Sequence, residues 1–317
     1  VSSLLAKSDF ELEGYGRLTH PLVYDRDSDT LRPVAWEQAF ARIGEILRGL
    51  QPDEVEFYTS GRASNEAAWL FQLFAREYGT NNFPDCSNMC HESTSVGLPQ
   101  SIGIGKGTVS LDDFDQTELV ISIGHNPGTN HPRMMGTLHE LSRRGVPIIV
   151  FNPLRERALE RFADPQNVME MATRRSTPIA STYYQVRAGG DAAALKGIAK
   201  ALLQLEEEQG NVLDHAFIAQ HTQGFTAFAD DLHATRWQDI EQESGLTRES
   251  LTQVAAAYAK SRATIVTYGM GITQHNKGTS NVRLIADLLL MRGNIGKPGA
   301  GICPLRGHSN VQGNRTV

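Results

Sequence analysis

The architecture of this chain is best predicted from Glu118-Leu-Val-Ile-Ser-Ile-Gly-His-Asn-Pro-Gly-Thr-Asn130. Its apolar run ends at a glycine turn, which is typical of a buried strand. A helix is expected from about Pro132 to Arg144, followed by a second apolar strand from Pro147 to Phe151. A crossover of this length suits parallel strands. The stretch therefore predicts an α/β fold, a doubly wound and mainly parallel (Rossmann-like) sheet, in which ligands bind beyond the carboxyl ends of the strands.

The rest of the chain is interpreted by the same patterns of periodicity and turn residues. A further buried strand is expected at Thr264–Tyr268, and short strands at Val55–Tyr58 and Tyr184–Arg187. Helices are expected over 36–50, from Asn65 through Phe74, and over 191–203, 212–222, 248–260 and 279–291. The segments expected to be irregular are 1–35, 103–107, 154–182 and 293–313. No G-x-G-x-x-G follows a strand, so the fingerprint of NAD-binding proteins is absent.

Composition excludes several classes of function. The chain has 317 residues, of which 40% are hydrophobic and 21% charged, as in ordinary globular proteins. The formal net charge is -6, so no nucleic-acid partner is expected. No apolar run has the length of a membrane segment. Three cysteines fit a reducing compartment, and a cytoplasmic location is expected.

Two of the three cysteines lie in the segment Asp85–Leu98, where His91 directly follows Cys90. Thiolates and imidazoles bind metals, and a thiolate is also a nucleophile. The spacing from Cys86 to Cys90 is one residue too long for a haem attachment site, and Cys303 stands alone, which disfavours a zinc site. A disulfide between Cys86 and Cys90, or two small buried side chains, remain open alternatives.

Several other residues have both a structural and a functional interpretation. Arg62 follows Gly61 between a predicted strand and a predicted helix, where an anion could bind, although a solvated arginine is the simpler interpretation. Arg306, in a loop rich in glycine and proline, could bind a carboxylate or be solvated. Met270 could pack in the core or, with Gln274, contact a nucleotide. Asp191 suits the N-cap of the helix that follows it.

Five segments, in order, give the chain a family resemblance. Cys86–Leu98 resembles the active-site segment of molybdopterin oxidoreductases of the formate dehydrogenase alpha-subunit type. The other segments that resemble this family are Thr59–Glu66, Gly124–Pro127, Tyr268–Gln274 and Arg292–Gly313. The chain differs from the usual pattern at Glu92 and Ser93, where Gly-Pro is common, and at His308, where glutamine is common.

The resemblance implies a two-electron oxidation or reduction of a small substrate, such as formate or another small anion, with a redox partner that is unknown. Its cofactor would be molybdenum with bis-molybdopterin guanine dinucleotide, and Cys90 would be the metal ligand. His91 would take a proton or position the substrate, and Arg306 would bind the anion. The residues implied to contact the cofactor are Arg62, Gly124, Asn126, Asp191 (through a guanine ring), Met270, Gln274 and His308.

The resemblance also implies the domain organisation of a longer chain, of which this sequence is expected to be a fragment. Residues 86–308 would form the Rossmann-like molybdopterin-binding domain. Residues 1–35 would be a lead-in, 36–85 the first part of a second α/β domain, and 309–317 the return to it. A 4Fe-4S cluster needs four cysteines and would lie outside this fragment.

Two alternatives from other classes remain. The chain could be a nucleotide-binding α/β module without redox activity, since glycine turns at strand ends suit nucleotides. It could also be a thiol sensor that forms a reversible disulfide between Cys86 and Cys90.

Overall fold

The computed structural model describes residues 1–173 and 175–316, and for residues 312, 315 and 316 the backbone alone. The chain divides into a smaller unit, Val1–Thr59 with Asn65–Pro84, and a larger unit, Ser60–Ser64 with Asp85–Thr316. Residues 309–316 group with the larger unit, and the domain boundaries expected from the resemblance stay a prediction. Arg174, in the predicted irregular segment, and Val317, at the end of the predicted return segment, lie outside the described residues.

The smaller unit contains an antiparallel hairpin, formed by β1 (Leu22–Asp25) and β2 (Thr30–Pro33). Its helices are α1 (Asp9–Glu13), α2 (Trp36–Arg48) and α3 (Asn65–Tyr78). The prediction that residues 1–35 are irregular is therefore wrong, because the backbone of this segment pairs with itself. The predicted strand at Val55–Tyr58 is also wrong. Phe57 instead packs its ring against Phe71 and Phe74, with centroids 5.5 and 5.7 Å away.

The larger unit consists of a central sheet with helices around it. Its strands are β3 (Leu119–Ile123), β4 (Ile148–Phe151), β5 (Arg161–Phe162), β6 (Thr177–Pro178), β7 (Thr182–Tyr184), β8 (Thr264–Tyr268) and β9 (Gly301–Pro304). Its helices are α4 (Cys86–Ile102), α5 (Asp113–Gln116), α6 (Pro127–Asn130), α7 (Pro132–Arg143), α8 (Arg157–Glu160), α9 (Val168–Thr173), α10 (Asp191–Gln209), α11 (His215–His221), α12 (Phe225–Ala234), α13 (Trp237–Ser244), α14 (Arg248–Lys260), α15 (Met270–Thr273), α16 (Gly278–Leu290) and α17 (Val311–Thr316).

The central sheet is parallel throughout, in the order β7-β4-β3-β8-β9. The order of strands along the chain reverses between β3 and β8, which makes the sheet doubly wound. Ile123, at the end of β3, is in register with Phe151 of β4 and with Tyr268 of β8. The predicted α/β fold with a parallel sheet is confirmed. The carboxyl ends of β3, β4 and β8 consequently meet at one edge.

The sheet is buried on both faces, which explains why its strands are continuous apolar runs. Leu119 and Ile121 of β3 belong to the core cluster that includes residues of α10, α14 and α16. Val120, which points to the opposite face, packs with Met135 and Leu138 of α7. Alternate residues of one strand therefore stabilise two separate layers of helices.

The other differences from the sequence predictions lie where pairing between distant segments decides the conformation. The predicted irregular segment 293–313 contains β9, whose residue Ile302 is fully buried, and α17. The strand predicted at Tyr184–Arg187 lies instead at Thr182–Tyr184, so the prediction is wrong for residues 185–187. Gly190, and not Asp191, is the N-cap of α10. Within the described residues, no helix has both the length and the apolar character to cross a membrane.

Candidate active site

A cavity of about 180 Å³ lies beyond the carboxyl ends of β3 and β8, where the sheet reverses its strand order. It is lined by Gly124, His125, Asn126, Asn130, His131, Asn152, Glu156, Gly269, Met270, Gly271, Leu305 and Gly307. Doubly wound sheets bind their ligands at this position. The location therefore makes the cavity the first candidate for a binding site.

Two glycines bring the turns after β3 and β8 into contact. The Gly271 amide donates to the Gly124 carbonyl at 3.0 Å. A Cβ atom on Gly124 would lie 2.9 Å from the Gly271 backbone, and one on Gly271 would lie 2.8 Å from Gly124. Gly124 also has a φ of +57°, which side chains rarely adopt. The lining between the two strands is consequently bare backbone, which a ligand can approach closely.

Polar side chains from the turn after β4 form another wall of the cavity. Asn126 donates through Nδ2 to Glu156 Oε2 at 2.7 Å, and Asn152 donates to Glu156 Oε1 at 3.3 Å. The Glu156 amide donates to the Tyr183 hydroxyl oxygen at 3.0 Å. Glu156 therefore brings an acidic group to the end of β4, and the sequence interpretation did not single it out. The sequence feature that could have pointed to Glu156 is the Asn-Pro turn at the end of a predicted strand, shortly before it.

Cys90 and His91 lie where α4 is kinked. His91 has non-helical backbone angles, φ -140° and ψ 26°, inside the helix. The Cys90 carbonyl accepts a hydrogen bond from Thr273 Oγ1 at 2.6 Å, and the neighbouring Met89 carbonyl accepts one from Gln274 Nε2 at 3.2 Å. The end of α15 therefore fixes the backbone of the kink. The kink divides α4 into two helical segments, and Cys90 is the last residue before it.

The Cys90 thiol is partly buried, and its pKa reflects opposing influences. Burial raises the pKa of Cys90 most, and Cys86 and Asp85 raise it further. The guanidinium of Arg306 lowers it. Arg306 is thus close enough to stabilise a Cys90 thiolate electrostatically. The structure brings together these two residues, which are far apart in the chain.

His91 is fully buried and both of its ring nitrogens have partners. Nε2 lies 2.8 Å from the Leu305 carbonyl oxygen, which can only accept, so Nε2 carries the proton. Nδ1 then accepts from Thr94 Oγ1 at 3.0 Å, and Thr94 lies 2.9 Å from the Tyr268 hydroxyl. Burial lowers the pKa of His91 to about 4. A buried imidazole with both nitrogens bonded is therefore poorly suited to taking up a proton, the first of the two roles that the resemblance implies for His91.

Cys86 lies one helical turn before Cys90 and is buried. Its Sγ accepts a hydrogen bond from the Gly61 amide at 2.6 Å and lies 3.2 Å from His308 Nδ1. Cys86, Cys90 and Cys303 are all free cysteines in the structure, so no disulfide joins Cys86 and Cys90. His308 therefore contacts a second thiol of the site.

A family model for molybdopterin oxidoreductases matches residues 17–316. The chain belongs to the molybdopterin oxidoreductase family. Protein YdeP of Escherichia coli (strain K12) is 58% identical to it over 323 residues, which cover 100% of this chain and 43% of that protein. Formate dehydrogenase H of the same strain is 30% identical over 303 residues, which cover 94% of this chain and 39% of that protein. The chain thus spans less than half the length of these relatives.

A solved structure supports the fold of this molybdopterin oxidoreductase chain. Acetylene hydratase from Pelobacter acetylenicus matches it with a TM-score of 0.68 and 19% sequence identity, over 90% of this chain and 37% of that one. At this level of identity the likeness establishes the fold alone. It confirms that the parallel sheet and its helices follow the family architecture.

Membership of the molybdopterin oxidoreductase family implies molybdenum bound with a pterin, and the residues of the site fit such a group. Cys90 provides a thiol, whose deprotonated form is a soft metal ligand. Gly124 and Gly271 present bare backbone to the cavity, because a Cβ atom on either residue would collide with the backbone of the other turn. His125 has a buried Nδ1 without a hydrogen-bond partner among the described residues, as expected for a site that is completed by a ligand.

The residues expected to contact the cofactor fall into four groups in this molybdopterin oxidoreductase. Gly124, Asn126 and Met270 line the cavity, whereas Gln274 and His308 contact Met89 and Cys86 near the α4 kink. Asp191 is buried, with Oδ2 3.7 Å from His275 Nε2. Arg62 is exposed. The assigned roles of these residues stay predictions.

Proposed function

We propose that this chain provides part of the active site of an oxidoreductase that carries out a formate dehydrogenase-like, two-electron conversion of a small anion. The observation that carries the proposal is the position of Arg306, whose neighbours Leu305 and Gly307 line the cavity at the reversal of the sheet and whose guanidinium lowers the pKa of the Cys90 thiol. A thiol that can become a metal ligand and a planar cation that can orient a carboxylate are the two groups that such a reaction needs. Family membership supports the cofactor class.

The cofactor would be molybdenum with bis-molybdopterin guanine dinucleotide, and Cys90 would be its protein ligand. Gly124, Asn126 and Met270 would contact the pterin part, since they line the cavity. Asp191 would accept hydrogen bonds from a guanine ring. Its carboxyl is buried, and burial raises its pKa, so a ring with N–H donors would stabilise the ionised form.

The residues Arg62, Gln274 and His308 would contact the cofactor from outside the cavity. Gln274 already donates to the Met89 carbonyl, so it would act near the metal ligand. His308 lies against Cys86, one turn from Cys90. These assignments follow from the family segments in which the residues stand.

When bound, the cofactor supplies a metal centre that exchanges two electrons with the substrate. The chain itself would bind the anion through Arg306, whose guanidinium offers parallel N–H donors to a carboxylate. His91 would remain neutral at pH 7, since the pKa of its imidazole is about 4. It could accept a substrate proton only after its hydrogen bond from Thr94 is broken. In the structure its direct contribution is to position the Leu305 carbonyl.

The experiment is to express the full-length protein with molybdate and to measure its molybdenum, its pterin and its turnover of formate. Stoichiometric molybdenum with a guanine-containing pterin supports the cofactor, and formate turnover supports the substrate. Cys90→Ala should lose turnover and most of the metal. Cys303→Ala is the matched control, because this free thiol lies on β9, where burial raises its pKa to about 11.

Three results would each contradict a different part of the proposal. A folded protein without molybdenum and pterin, from a host that makes the cofactor, would favour the nucleotide-binding module without redox activity. Full metal occupancy with retained activity in Cys90→Ala would exclude Cys90 as the ligand. Full occupancy without formate turnover would leave the cofactor class supported and exclude formate.

A further inference from the structure

We propose that His131 positions Arg306 for binding the substrate anion, and that His125 keeps the His131 ring in the tautomer that this contact requires. The proposal deepens the proposed function, since it rests on Arg306 as the residue that binds the anion. Neither histidine belongs to the residues expected from the sequence. A short chain of hydrogen bonds between two turns connects the three residues.

The first link is the contact between His131 and the backbone of Arg306. His131 Nε2 lies 2.8 Å from the Arg306 carbonyl oxygen. A carbonyl oxygen can only accept, so this nitrogen must carry a proton. In a neutral ring, His131 Nδ1 is then an acceptor. The contact therefore exists only in one neutral tautomer or in the charged ring.

The second link is the contact that selects this tautomer. His125 Nε2 lies 2.7 Å from His131 Nδ1. Burial lowers the pKa of His125 to about 3, and the charge that His131 could carry lowers it further, so the His125 ring is neutral at physiological pH. With its proton on Nε2, His125 donates to His131 Nδ1. The His131 proton is thereby kept on Nε2, facing Arg306.

The position of His131 is itself restricted by its backbone. Its amide donates to the Pro127 carbonyl at 2.9 Å, at the end of α6. Pro132, the first residue of α7, follows it and disfavours helical backbone angles at His131. The observed angles are φ -140° and ψ 60°. The ring therefore projects from a corner between α6 and α7 that has little conformational freedom.

The carbonyl before Arg306 is fixed by a different element. His91 of α4 donates to the Leu305 carbonyl at 2.8 Å, and the Leu305 amide donates to the Tyr268 carbonyl at 2.9 Å. Two imidazoles from separate parts of the fold thus donate to consecutive carbonyls. The backbone that carries the Arg306 guanidinium is consequently positioned before a ligand binds. Positioning in advance reduces the conformational entropy lost on binding.

The consequence for the reaction is a change in anion binding. Without His131, the Arg306 carbonyl loses the hydrogen bond that this imidazole donates, and a misplacement of about 1 Å can lower catalytic efficiency about a hundredfold. We expect KM for formate to rise by about tenfold to a hundredfold in His131→Leu, while kcat falls less. His131→Gln keeps an N–H donor on a side chain of similar reach, and should recover most of the loss.

The experiment has a readout that does not depend on turnover. Two-bond proton–nitrogen spectra of the full-length protein, labelled with nitrogen-15 at histidine, report the tautomer of each ring. We expect both His131 and His125 to carry a proton on Nε2. His125→Leu should allow His131 to take up the other tautomer. His215→Gln, a change at an exposed ring on α11, is the control for kinetics and folding.

Each outcome decides the proposal. A His131 ring with its proton on Nδ1 and none on Nε2 in the unmodified protein would overturn it, because the contact with Arg306 would then lack its donor. Equal KM values for His131→Leu and the unmodified enzyme would also overturn it. A fully loaded enzyme that does not use formate would contradict the proposed substrate instead, and the tautomers in the His125→Leu variant would still decide the positioning.

Discussion

Cys86 Sγ lies 3.2 Å from His308 Nδ1, although 222 residues separate them in the chain. The Gly61 amide donates to the same sulfur at 2.6 Å. A Cβ atom on Gly61 would lie 3.1 Å from this sulfur and 3.3 Å from the Cβ of His308. Three distant segments therefore meet at one buried thiol, one helical turn from the proposed metal ligand.

Replacement of Cys86 tests how much the hydrogen bond from the Gly61 amide contributes to stability. Cys86→Ala removes the acceptor for the Gly61 amide, and a buried donor without a partner costs about 1–3 kcal/mol. We expect the free energy of unfolding, measured by urea denaturation, to fall by about that amount. Cys86→Ser keeps an acceptor atom and should retain part of the stability. Identical unfolding curves for the alanine and serine variants would contradict a role for the hydrogen bond.

Replacement of Gly124 should disturb the cavity at the end of β3. In Gly124→Ala the new methyl group would lie 2.9 Å from the Gly271 backbone, and the residue would keep an unfavourable φ of +57°. Strain of this kind costs about 1–3 kcal/mol, so the melting temperature should fall and cofactor content of the full-length protein should decrease.

The matched control is Gly136, in the middle of α7, where a Cβ atom would meet no neighbour within 4 Å. Gly136→Ala should increase the free energy of unfolding by about 0.5–1 kcal/mol, because alanine favours helix. Equal effects at Gly124 and Gly136 would show that the close approach of the two turns is unimportant.

Tyr258 should stabilise the core through its hydroxyl group. This fully buried hydroxyl accepts from Asn294 Nδ2 at 3.0 Å and donates to the Leu288 carbonyl at 3.0 Å. Tyr258→Phe leaves both partners buried without a bond, and we expect the free energy of unfolding to fall by about 1–3 kcal/mol. Tyr184→Phe is the control, since the Tyr184 hydroxyl has no hydrogen-bond partner among the described residues. A loss of equal size at Tyr184 would argue against the hydrogen bonds as the cause.

Asp287 should make stability depend on pH. Burial raises the pKa of its carboxyl to about 6, and Arg283 offsets only part of this shift. Because the folded state favours the protonated form, the protein should lose stability as the pH rises from about 4 to about 6, by about 1–3 kcal/mol for a partly exposed group. Asp287→Asn should remove this loss, so it should exceed the unmodified chain in stability at pH 8 and match it near pH 4.

Asp113 is the control for the direction of the pH dependence, because hydrogen bonds from the Ser110 and Gly299 amides lower the pKa of its carboxyl. Asp113→Asn should therefore reduce stability at pH 7, and the difference should disappear as the pH falls. Melting temperatures of the variants across pH 4 to 8 test both statements. An Asp287→Asn variant that is less stable than the unmodified chain at pH 8 would show that burial does not favour the protonated carboxyl.

Most of the central sheet follows from local patterns. The apolar run at β3 and the helix α14, expected over 248–260, form as predicted because periodicity is a property of adjacent residues. The family was also recognisable from short segments, since each carries its own residue types at fixed spacing. Cys90 and Arg306 were selected in this way, and the fold places the Arg306 guanidinium where its charge lowers the pKa of the Cys90 thiol.

Local patterns failed where partners come from distant parts of the chain. Gly301–Pro304 forms a strand because its backbone pairs with that of β8, with Val266 in register with Ile302. Glu156, His125 and His131 gained their significance from contacts with residues that the sequence does not place nearby. Composition and local sequence patterns contain no information about such contacts.

The pattern of apolar runs and glycine turns determined the class of fold and the edge of the sheet at which a ligand would bind. The tertiary structure alone decided the protonation and the orientation of the groups at that edge. His91 illustrates the reason, since an imidazole titrates near neutrality in water but is neutral when buried with both nitrogens bonded. Ionisation and hydrogen bonding depend on surroundings, and those exist only once the chain has folded.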